Sequence, residues 1–390
     1  MKRIVICCDG TWKRLDERYP TNVVRIAQAV TPVGRDGVAQ VVYHLDGVGS
    51  GRGTGRLARG IDRALGGMFG QGLMATVEEA YRFLVFNHAP GDEIYLFGFS
   101  RGAYMARSLA GLIRNCGILA RGNAALIPKA LTLYQTRTEK AHPDSVEACA
   151  FRARHGQPVW TSPTDAMWRT RLHGTPGARL DLRYLGIWDT VGALGVPRDF
   201  RLAPLLNRSL RFHDTRLSKG VGAARHAVAI DERRRSFPPT LWDNLDALNA
   251  ETGDSRYLQR WFPGDHSSVG GGGEVTALSH DALLWIAEGA AAVGLGLDAA
   301  AMEGWRRGRD CMGPLRATRR DAGLVDRALA LAPSERGGPA NVADLAEATV
   351  RRWHRDPAYR PGALRALSGA LASEDTPVRA SLAPPRAALA

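Results

Sequence analysis

Short runs of apolar residues alternate along the chain with longer segments in which apolar residues recur every third or fourth position. The short runs have the length of buried strands, whereas the longer period is typical of a helix with one buried face. The predicted strands are 3–8, 38–45, 93–99, 180–188, 223–230 and 257–262, and the most distinct predicted helices are 70–87, 101–113 and 282–292. Strands that alternate with helices predict an α/β fold, with a mostly parallel sheet and helices on both faces.

The sequence Gly98-Phe99-Ser100-Arg101-Gly102 joins the third predicted strand to a predicted helix. Between a strand and a helix, this pattern is typical of a nucleophile elbow, a turn so tight that glycine stands two residues before and two residues after the serine. The alternative is an ordinary turn whose serine caps the helix. We therefore predict Ser100 as the nucleophile and Gly98 and Gly102 as the elbow glycines.

Charged residues directly follow later predicted strands, where the carboxyl ends of a parallel sheet gather reactive groups. A nucleophilic serine needs a base, and the base needs a carboxylate to orient it; in α/β-hydrolases the acid precedes the histidine in the chain. His266 is the predicted base because it stands in a loop after a strand. Asp189 is the preferred acid. Asp231 remains the alternative, although neighbouring Glu232 and the arginines 233–235 suit it to a structural salt bridge.

An oxyanion hole requires two backbone N–H donors. The first predicted donor is the amide of Arg101, which follows the serine. The second is placed in the Gly10-Thr11 region after the first strand, where glycine allows a close approach of the backbone. Asp9 is expected to hold this loop through hydrogen bonds, a simple Asx-turn being the alternative.

Other polar clusters do not predict a cofactor. The glycine-rich loop 47–55 matches neither phosphate-binding pattern and is interpreted as a rim loop, with a phosphate contact by Arg52 as the alternative. His213, Asp214 and His226 lack the spacing or the second cluster of a metal site and are predicted to be structural. We expect no metal and no cofactor.

The connection 121–179 is longer than an ordinary loop, which predicts an inserted cap or lid over the active site. Beyond residue 297 the strand signals stop. We therefore expect a catalytic domain over 1–296, which includes the insertion, and a C-terminal helical extension with a flexible tail over 297–390.

The chain has 52 Lys and Arg against 39 Asp and Glu, a net charge of +13. Such a surface attracts anions, so peripheral contact with an anionic membrane stays open. The basic residues are scattered and no nucleic-acid-binding motif accompanies them, so no nucleic-acid partner is expected. The five cysteines show no disulfide or metal-binding spacing. The pattern shows no signal peptide and no membrane span, so the expected location is the cytoplasm. Export without a signal peptide stays open. The oligomeric state is unknown.

Several further blocks occur in a fixed order over about residues 1–290. They are Cys8-Asp9-Gly10-Thr11-Trp12, Pro20-Thr21-Asn22-Val23, the elbow, Trp188-Asp189-Thr190-Val191-Gly192, Phe212-His213-Asp214-Thr215, the stretch 225–232 and Trp261-Phe262-Pro263-Gly264-Asp265-His266. With these blocks the chain resembles the DUF2235 family of α/β-hydrolases, which includes the catalytic domain of Tle1-type phospholipase effectors of type VI secretion. The resemblance implies a triad of Ser100, Asp189 and His266, and lipolytic or esterase activity in some members.

We therefore expect a serine hydrolase with an α/β-hydrolase fold that cleaves carboxylic esters through an acyl-enzyme. The expected substrate is an acyl ester of a lipid or phospholipid. The alternatives are a non-lipid carboxylesterase, a carbohydrate esterase or a thioesterase. A more distant alternative is a non-catalytic, hydrolase-like module that binds anionic surfaces.

Overall fold

A computed structural model of the chain describes residues 1–10, 13, 15–47, 67–136, 138–192, 215–235, 237–316 and 335–373. Its strands are β1 (Arg3–Cys8), β2 (Gln40–Leu45), β3 (Glu93–Phe99), β4 (Val159–Trp160), β5 (Ala178–Arg179), β6 (Asp181–Trp188), β7 (Val221–Ala229) and β8 (Tyr257–Phe262). Six of them form one sheet in the order β2-β1-β3-β6-β7-β8, and every neighbouring pair is parallel.

Helices cover both faces of this sheet. They are α1 (Asn22–Ala29), α2 (Gly67–Asn87), α3 (Arg101–Cys116), α4 (Ile127–Gln135), α5 (Val146–His155), α6 (Pro163–His173), α7 (Leu245–Thr252), α8 (His266–Gly270), α9 (Ala277–Ala292), α10 (Ala299–Gly308), α11 (Glu347–Arg355) and α12 (Ser368–Ala372). None of the described helices combines the length and the apolar character needed to cross a membrane.

The alternation of side chains along β1 connects the sheet to both helical layers. Ile4 and Ile6 belong to the apolar cluster with α2 and α3, whereas Val5 and Cys7 belong to the cluster with α1 and α9. Every residue of β1 and of β3 is buried, as expected for central parallel strands covered on two faces. The predicted α/β fold with a mostly parallel sheet is confirmed.

The segment 121–179 lies at the amino ends of the strands. It contacts the last turn of α3, where Nδ2 of Asn115 donates to the carbonyl of Ala141 at 2.7 Å. It then returns to the sheet where the amide of Leu180 donates to the carbonyl of Trp160 at 2.9 Å, directly before β6. Because α3 begins at the carboxyl edge and ends at the opposite edge, the segment is anchored at both ends on the side away from Ser100. This position differs from the lid over the active site that the sequence predicts.

The region after 297 contributes to the folded core. Trp261 of β8 bridges to Leu345, and the hydroxyl of Thr349 donates to the carbonyl of Trp261 at 2.7 Å. Trp261 is buried in a cluster with residues of α11 and of the chain that follows it. The outer edge of β8 is thus covered along this stretch, which limits pairing with another chain. The end of the predicted tail, 374–390, lies outside the described residues.

Candidate active site

Ser100 occupies a strained turn at the carboxyl end of β3. Its backbone angles are φ 59° and ψ −123°, a conformation that a side chain disfavours and that is typical of functional sites. A Cβ atom at Gly102 would overlap the carbonyl oxygen of Cys8, and one at Gly98 would overlap the carbonyl of Gly102. Glycine at both positions is therefore required by the close approach of α3 to β1 and β3. The side chain of Ser100 makes no capping hydrogen bond to α3, in contrast to the helix-cap alternative.

The elbow lies beside the turn that carries Asp189. The amide of Ser100 donates at 3.0 Å to the carbonyl of Trp188, which directly precedes Asp189. Asp189 is completely buried and also has a positive φ, of 36°. The neighbouring strands β3 and β6 therefore end in two adjacent strained residues.

Asp189 and His266 are joined by a hydrogen bond of 2.5 Å between Oδ2 and Nδ1. The second carboxylate oxygen, Oδ1, accepts the amide of Ala229 at 2.9 Å. When Nδ1 of His266 donates to the carboxylate, Nε2 is left without its proton and can accept one. The arrangement fixes the tautomer that a general base requires.

A fourth side chain, which the sequence analysis missed, completes this group. Arg336 donates from Nη1 to Oδ1 of Asp189 at 2.6 Å and from Nη2 to Oδ2 at 2.9 Å. Burial alone would raise the pKa of Asp189, but the charge of Arg336 and the hydrogen bonds from His266 and Arg336 hold that pKa well below its ordinary value. Asp189 is therefore ionised at neutral pH. In a chain with 52 basic residues, nothing in the local sequence distinguishes this arginine.

Two aromatic rings enclose His266. The ring of Phe99 lies 4.6 Å from the imidazole, centroid to centroid, and the ring of Phe237 lies 4.9 Å away, edge-on. Since Phe99 directly precedes Ser100, the contact brings the elbow against the histidine. His266 is the first residue of α8, whereas the sequence predicts a loop at this position. Its amide donates to Oε2 of Glu232 at 3.2 Å.

Glu232 and Asp231, which follow β7, have structural partners. Glu232 forms an ion pair of 2.7 Å with Arg234, and although burial alone would raise the pKa of Glu232, this pairing lowers it. Oδ2 of Asp231 accepts the amide of Gly264 at 2.6 Å. The structure thus brings Asp189, and not Asp231, to His266.

The loop after β1 lies next to the elbow. A Cβ atom at Gly10 would lie 3.4 Å from the Cβ of Ser100, so this backbone borders the space around the serine. The amide of Gly10 already donates to Oδ1 of Asp9 at 2.7 Å, and Thr21 donates to the same buried carboxylate at 2.9 and 3.0 Å. Asp9 therefore fixes the loop, as the sequence suggests. It also accepts the amide of Gly10, one of the two residues from which the second oxyanion donor is predicted. Thr11, the other of these residues, lies outside the described residues.

Arg101 begins α3 directly after the serine. Its amide thus stands in the first turn, where the helix dipole favours negative charge. Burial lowers the pKa of the Arg101 side chain to about 10, which leaves it positively charged at neutral pH.

His226, which the sequence predicts to be a structural residue and not a metal ligand, is completely buried. Its Nε2 accepts the amide of Thr190 at 3.2 Å, and its Nδ1 lies 2.9 Å from Oε1 of Gln259. Burial lowers the pKa of His226 to about 3, helped by the nearby charge of Arg107, so the ring is neutral and supports the turn after Asp189. In the part of the chain that the structure describes, no three His, Cys, Asp or Glu side chains form a metal-binding cluster. His213, Asp214 and the loop residues 48–55 are not among the described residues.

Comparisons with known proteins identify the family. The chain is 29% identical over 246 residues to the uncharacterized protein YEL023C of Saccharomyces cerevisiae, a match that covers 60% of this chain and 32% of that protein. An uncharacterized protein from Pseudomonas aeruginosa has a crystal structure that aligns with a TM-score of 0.39 and 18% identity, over 78% of this chain and 47% of that one. The Tle1 effector bound to the VgrG spike of the type VI secretion system aligns with a TM-score of 0.37 and 19% identity, over 69% and 51%.

The chain therefore spans about a third of the yeast relative and about half of each solved chain. Residues 2–289 match the family model described as "T6SS, Phospholipase effector Tle1-like, catalytic domain". Because this match extends over most of the chain, the protein belongs to the family of Tle1-like catalytic domains of type VI secretion phospholipase effectors.

Proposed function

We propose that this chain is a serine hydrolase that cleaves an acyl ester of a phospholipid through an acyl-enzyme. The observation that carries the proposal is the 2.5 Å hydrogen bond between Asp189 and His266, beside a strained turn that bears Ser100. The class of substrate follows from the family description, which names phospholipase effectors.

In the first half of the reaction, Oγ of Ser100 attacks the carbonyl carbon of the ester while Nε2 of His266 takes the hydroxyl proton. The carbonyl oxygen becomes an oxyanion as the new C–O bond forms. Asp189 keeps the imidazole oriented and stabilises its positive charge without taking the proton. When the tetrahedral intermediate collapses, the bond to the leaving alcohol breaks and His266 protonates that alcohol.

In the second half, His266 takes a proton from water, and the resulting hydroxide attacks the acyl group on Ser100. Collapse of this second intermediate returns the proton to Oγ and releases the fatty acid. The amide of Arg101 in the first turn of α3 is the proposed donor to both oxyanions. The second donor is proposed to come from the Gly10-Thr11 region, other than the amide of Gly10, which already donates to Asp9.

The proposal is tested by labelling the purified protein with a fluorophosphonate probe, which forms a covalent bond with an activated serine, and by locating the adduct by mass spectrometry. We expect a single adduct at Ser100 that is absent in Ser100→Ala. Ser108→Ala is the matched control, because Ser108 is also buried on α3. This variant is expected to be labelled like the wild type.

Release of fatty acid from phosphatidylcholine and phosphatidylglycerol vesicles then tests the substrate class. Ser100-dependent release from vesicles supports a phospholipase. Labelling of Ser100 with hydrolysis of only short-chain esters, acetylated sugars or thioesters would keep the serine hydrolase and reject the lipid substrate. A folded protein whose Ser100 resists the probe and which hydrolyses no ester would contradict the proposal.

A further inference from the structure

Arg336 reaches the candidate site from a part of the chain beyond residues 2–289, the range that the family model matches. Its side chain is buried, and all four Nη hydrogens have acceptors: two go to the carboxylate of Asp189, one to the carbonyl of Ala229 at 2.8 Å and one to the carbonyl of Phe237 at 2.7 Å. A buried guanidinium with this many directed hydrogen bonds is held in one orientation.

We propose that Arg336 is a positioning residue of this site, which locks the carboxylate of Asp189 in place and, through that carboxylate, orients His266. This inference rests on the proposed function, since it assigns Arg336 a role in the same triad. It makes the C-terminal region a part of the active site and not only an extension of the fold.

The planar shape of the Arg336 guanidinium sets the geometry of the site. Its two parallel hydrogen bonds fix the plane of the Asp189 carboxylate, and the carboxylate in turn fixes His266 through Nδ1. The bond to the carbonyl of Phe237 also holds the residue whose ring contacts the imidazole edge-on. Arg336 therefore controls both the acid and one wall around the base, and a lysine at this position could not make all of these contacts.

Arg336 also adds a positive charge beside the carboxylate of Asp189. A lone buried carboxylate attracts positive charge in its neighbourhood more strongly than a carboxylate that is already paired with Arg336. Removal of this charge should therefore change the pH dependence of the reaction.

Other charged groups around the pair remain when Arg336 is replaced. Glu232 accepts the amide of His266 and is itself paired with Arg234. His226, behind the turn after Asp189, is neutral because burial, with the charge of Arg107, lowers its pKa to about 3. Asp265, next to His266, accepts the amide of Ser268 at 2.8 Å as the cap of α8.

The test compares Arg336→Met and Arg336→Lys with the wild type in kcat/KM over pH 5–9, on the ester that the wild type hydrolyses best. Arg336→Met removes the charge, so the acidic limb of the profile should move to higher pH by about one unit. Its kcat at the plateau should fall at least about tenfold, since the carboxylate is no longer held. Arg336→Lys keeps the charge without the planar fork, so its acidic limb should stay near that of the wild type while kcat falls.

Arg352→Met is the matched control, because Arg352 is another buried arginine of the C-terminal region and donates to the carbonyls of Cys311 and Gly313, not to the site. It should lower stability without moving the acidic limb. An equal shift in this control, or a folded Arg336→Met with the profile and rate of the wild type, would overturn the inference. If Arg336→Met does not fold, Arg336→Lys decides: an unchanged kcat rejects the positioning role.

Nuclear magnetic resonance titration of the His266 ring, assigned by its loss in His266→Gln, separates this inference from the proposed function. If the wild type neither hydrolyses esters nor reacts with the probe, the proposed function fails. A higher titration midpoint in Arg336→Met would still support the coupling of Arg336 to His266, and an unchanged midpoint would reject it.

Discussion

The hydroxyl of Tyr359 lies 3.0 Å from Oδ2 of Asp231 and donates a hydrogen bond to it. The same oxygen accepts the amide of Gly264, two residues before His266. Asp231 therefore fastens the loop that leads into α8 to the C-terminal region. Burial raises the pKa of Asp231 and, together with this carboxylate, also raises the pKa of Tyr359. A carboxylate with these partners supports structure, whereas Asp189 is the one that faces the histidine.

The two aspartates predict opposite results when each is replaced by asparagine. Asp189→Asn should slow fluorophosphonate labelling of Ser100 by about 10³-fold or more, because the histidine loses its orienting anion. Asp231→Asn should keep labelling within about threefold of the wild type and lower the free energy of unfolding by about 1 kcal/mol. Labelling rates and urea unfolding of both variants check this, and a larger labelling defect in Asp231→Asn would reverse the assignment.

A feature of the candidate site can be predicted from the sequence when the residues that impose it are neighbours in the chain. The elbow was predictable because the tight turn imposes glycine within a few residues of Ser100. The choice between Asp189 and Asp231 was harder, since both follow strands of the same sheet and only the packing of distant residues separates them. Arg336 was not predictable, because its partner lies far away in the sequence and the arginine carries no local pattern.

The segment 121–179 shows the same limit. Its length predicted an insertion, and the structure gives the segment helices of its own. Length says nothing, however, about the edge of the sheet on which such a segment folds. That edge follows from where α3 ends and β6 begins. The contact between Asn115 and Ala141 and the one between Trp160 and Leu180 place it at the amino ends of the strands.

The position of this segment predicts that it does not act as a lipid-activated lid. Met167 and Leu172 are its exposed apolar residues on α6, with 59% and 49% of their surfaces accessible. Replacing both with serine should leave vesicle hydrolysis within about twofold of the wild type, because α6 is anchored away from Ser100. A loss of about tenfold on vesicles, with hydrolysis of a soluble short-chain ester unchanged, would instead show that the segment binds the lipid surface.

The tight packing of the elbow predicts that one methyl group added at Gly102 lowers the free energy of unfolding. In Gly102→Ala the new Cβ would overlap backbone atoms of Cys8 and Asp9, so β1 and α3 must separate. We expect a loss of about 3 kcal/mol in the free energy of unfolding and of most labelling at Ser100. Gly369→Ala is the control, since Gly369 lies in α12 with open space around its Cα, and it should be neutral or slightly stabilising. Urea unfolding compares the two, and a Gly102→Ala variant as stable as the wild type would contradict the elbow packing.

The ion pairs of Glu93, at the amino edge of the sheet, should make the free energy of unfolding depend on pH. Its carboxylate accepts Arg3 at 2.8 Å and Arg183 at 2.5 Å. Burial alone would raise the pKa of Glu93, but these two arginines lower it. A carboxyl whose pKa is lower in the folded state stabilises the fold above its unfolded pKa of about 4.3, and this contribution is lost as the pH falls toward the folded value.

Glu93→Gln should therefore lower the free energy of unfolding by roughly 3 kcal/mol at pH 7, where the ionised side chain holds two arginines. The difference from the wild type should shrink below about pH 4, as the wild-type carboxylate becomes protonated. The control is Glu303→Gln on α10, whose ion pair with Arg306 is exposed and should contribute less than about 1 kcal/mol. Urea unfolding at pH 7, 5 and 3.5 measures all three proteins, and a Glu93→Gln difference that does not change with pH would show that the contribution of Glu93 is not ionic.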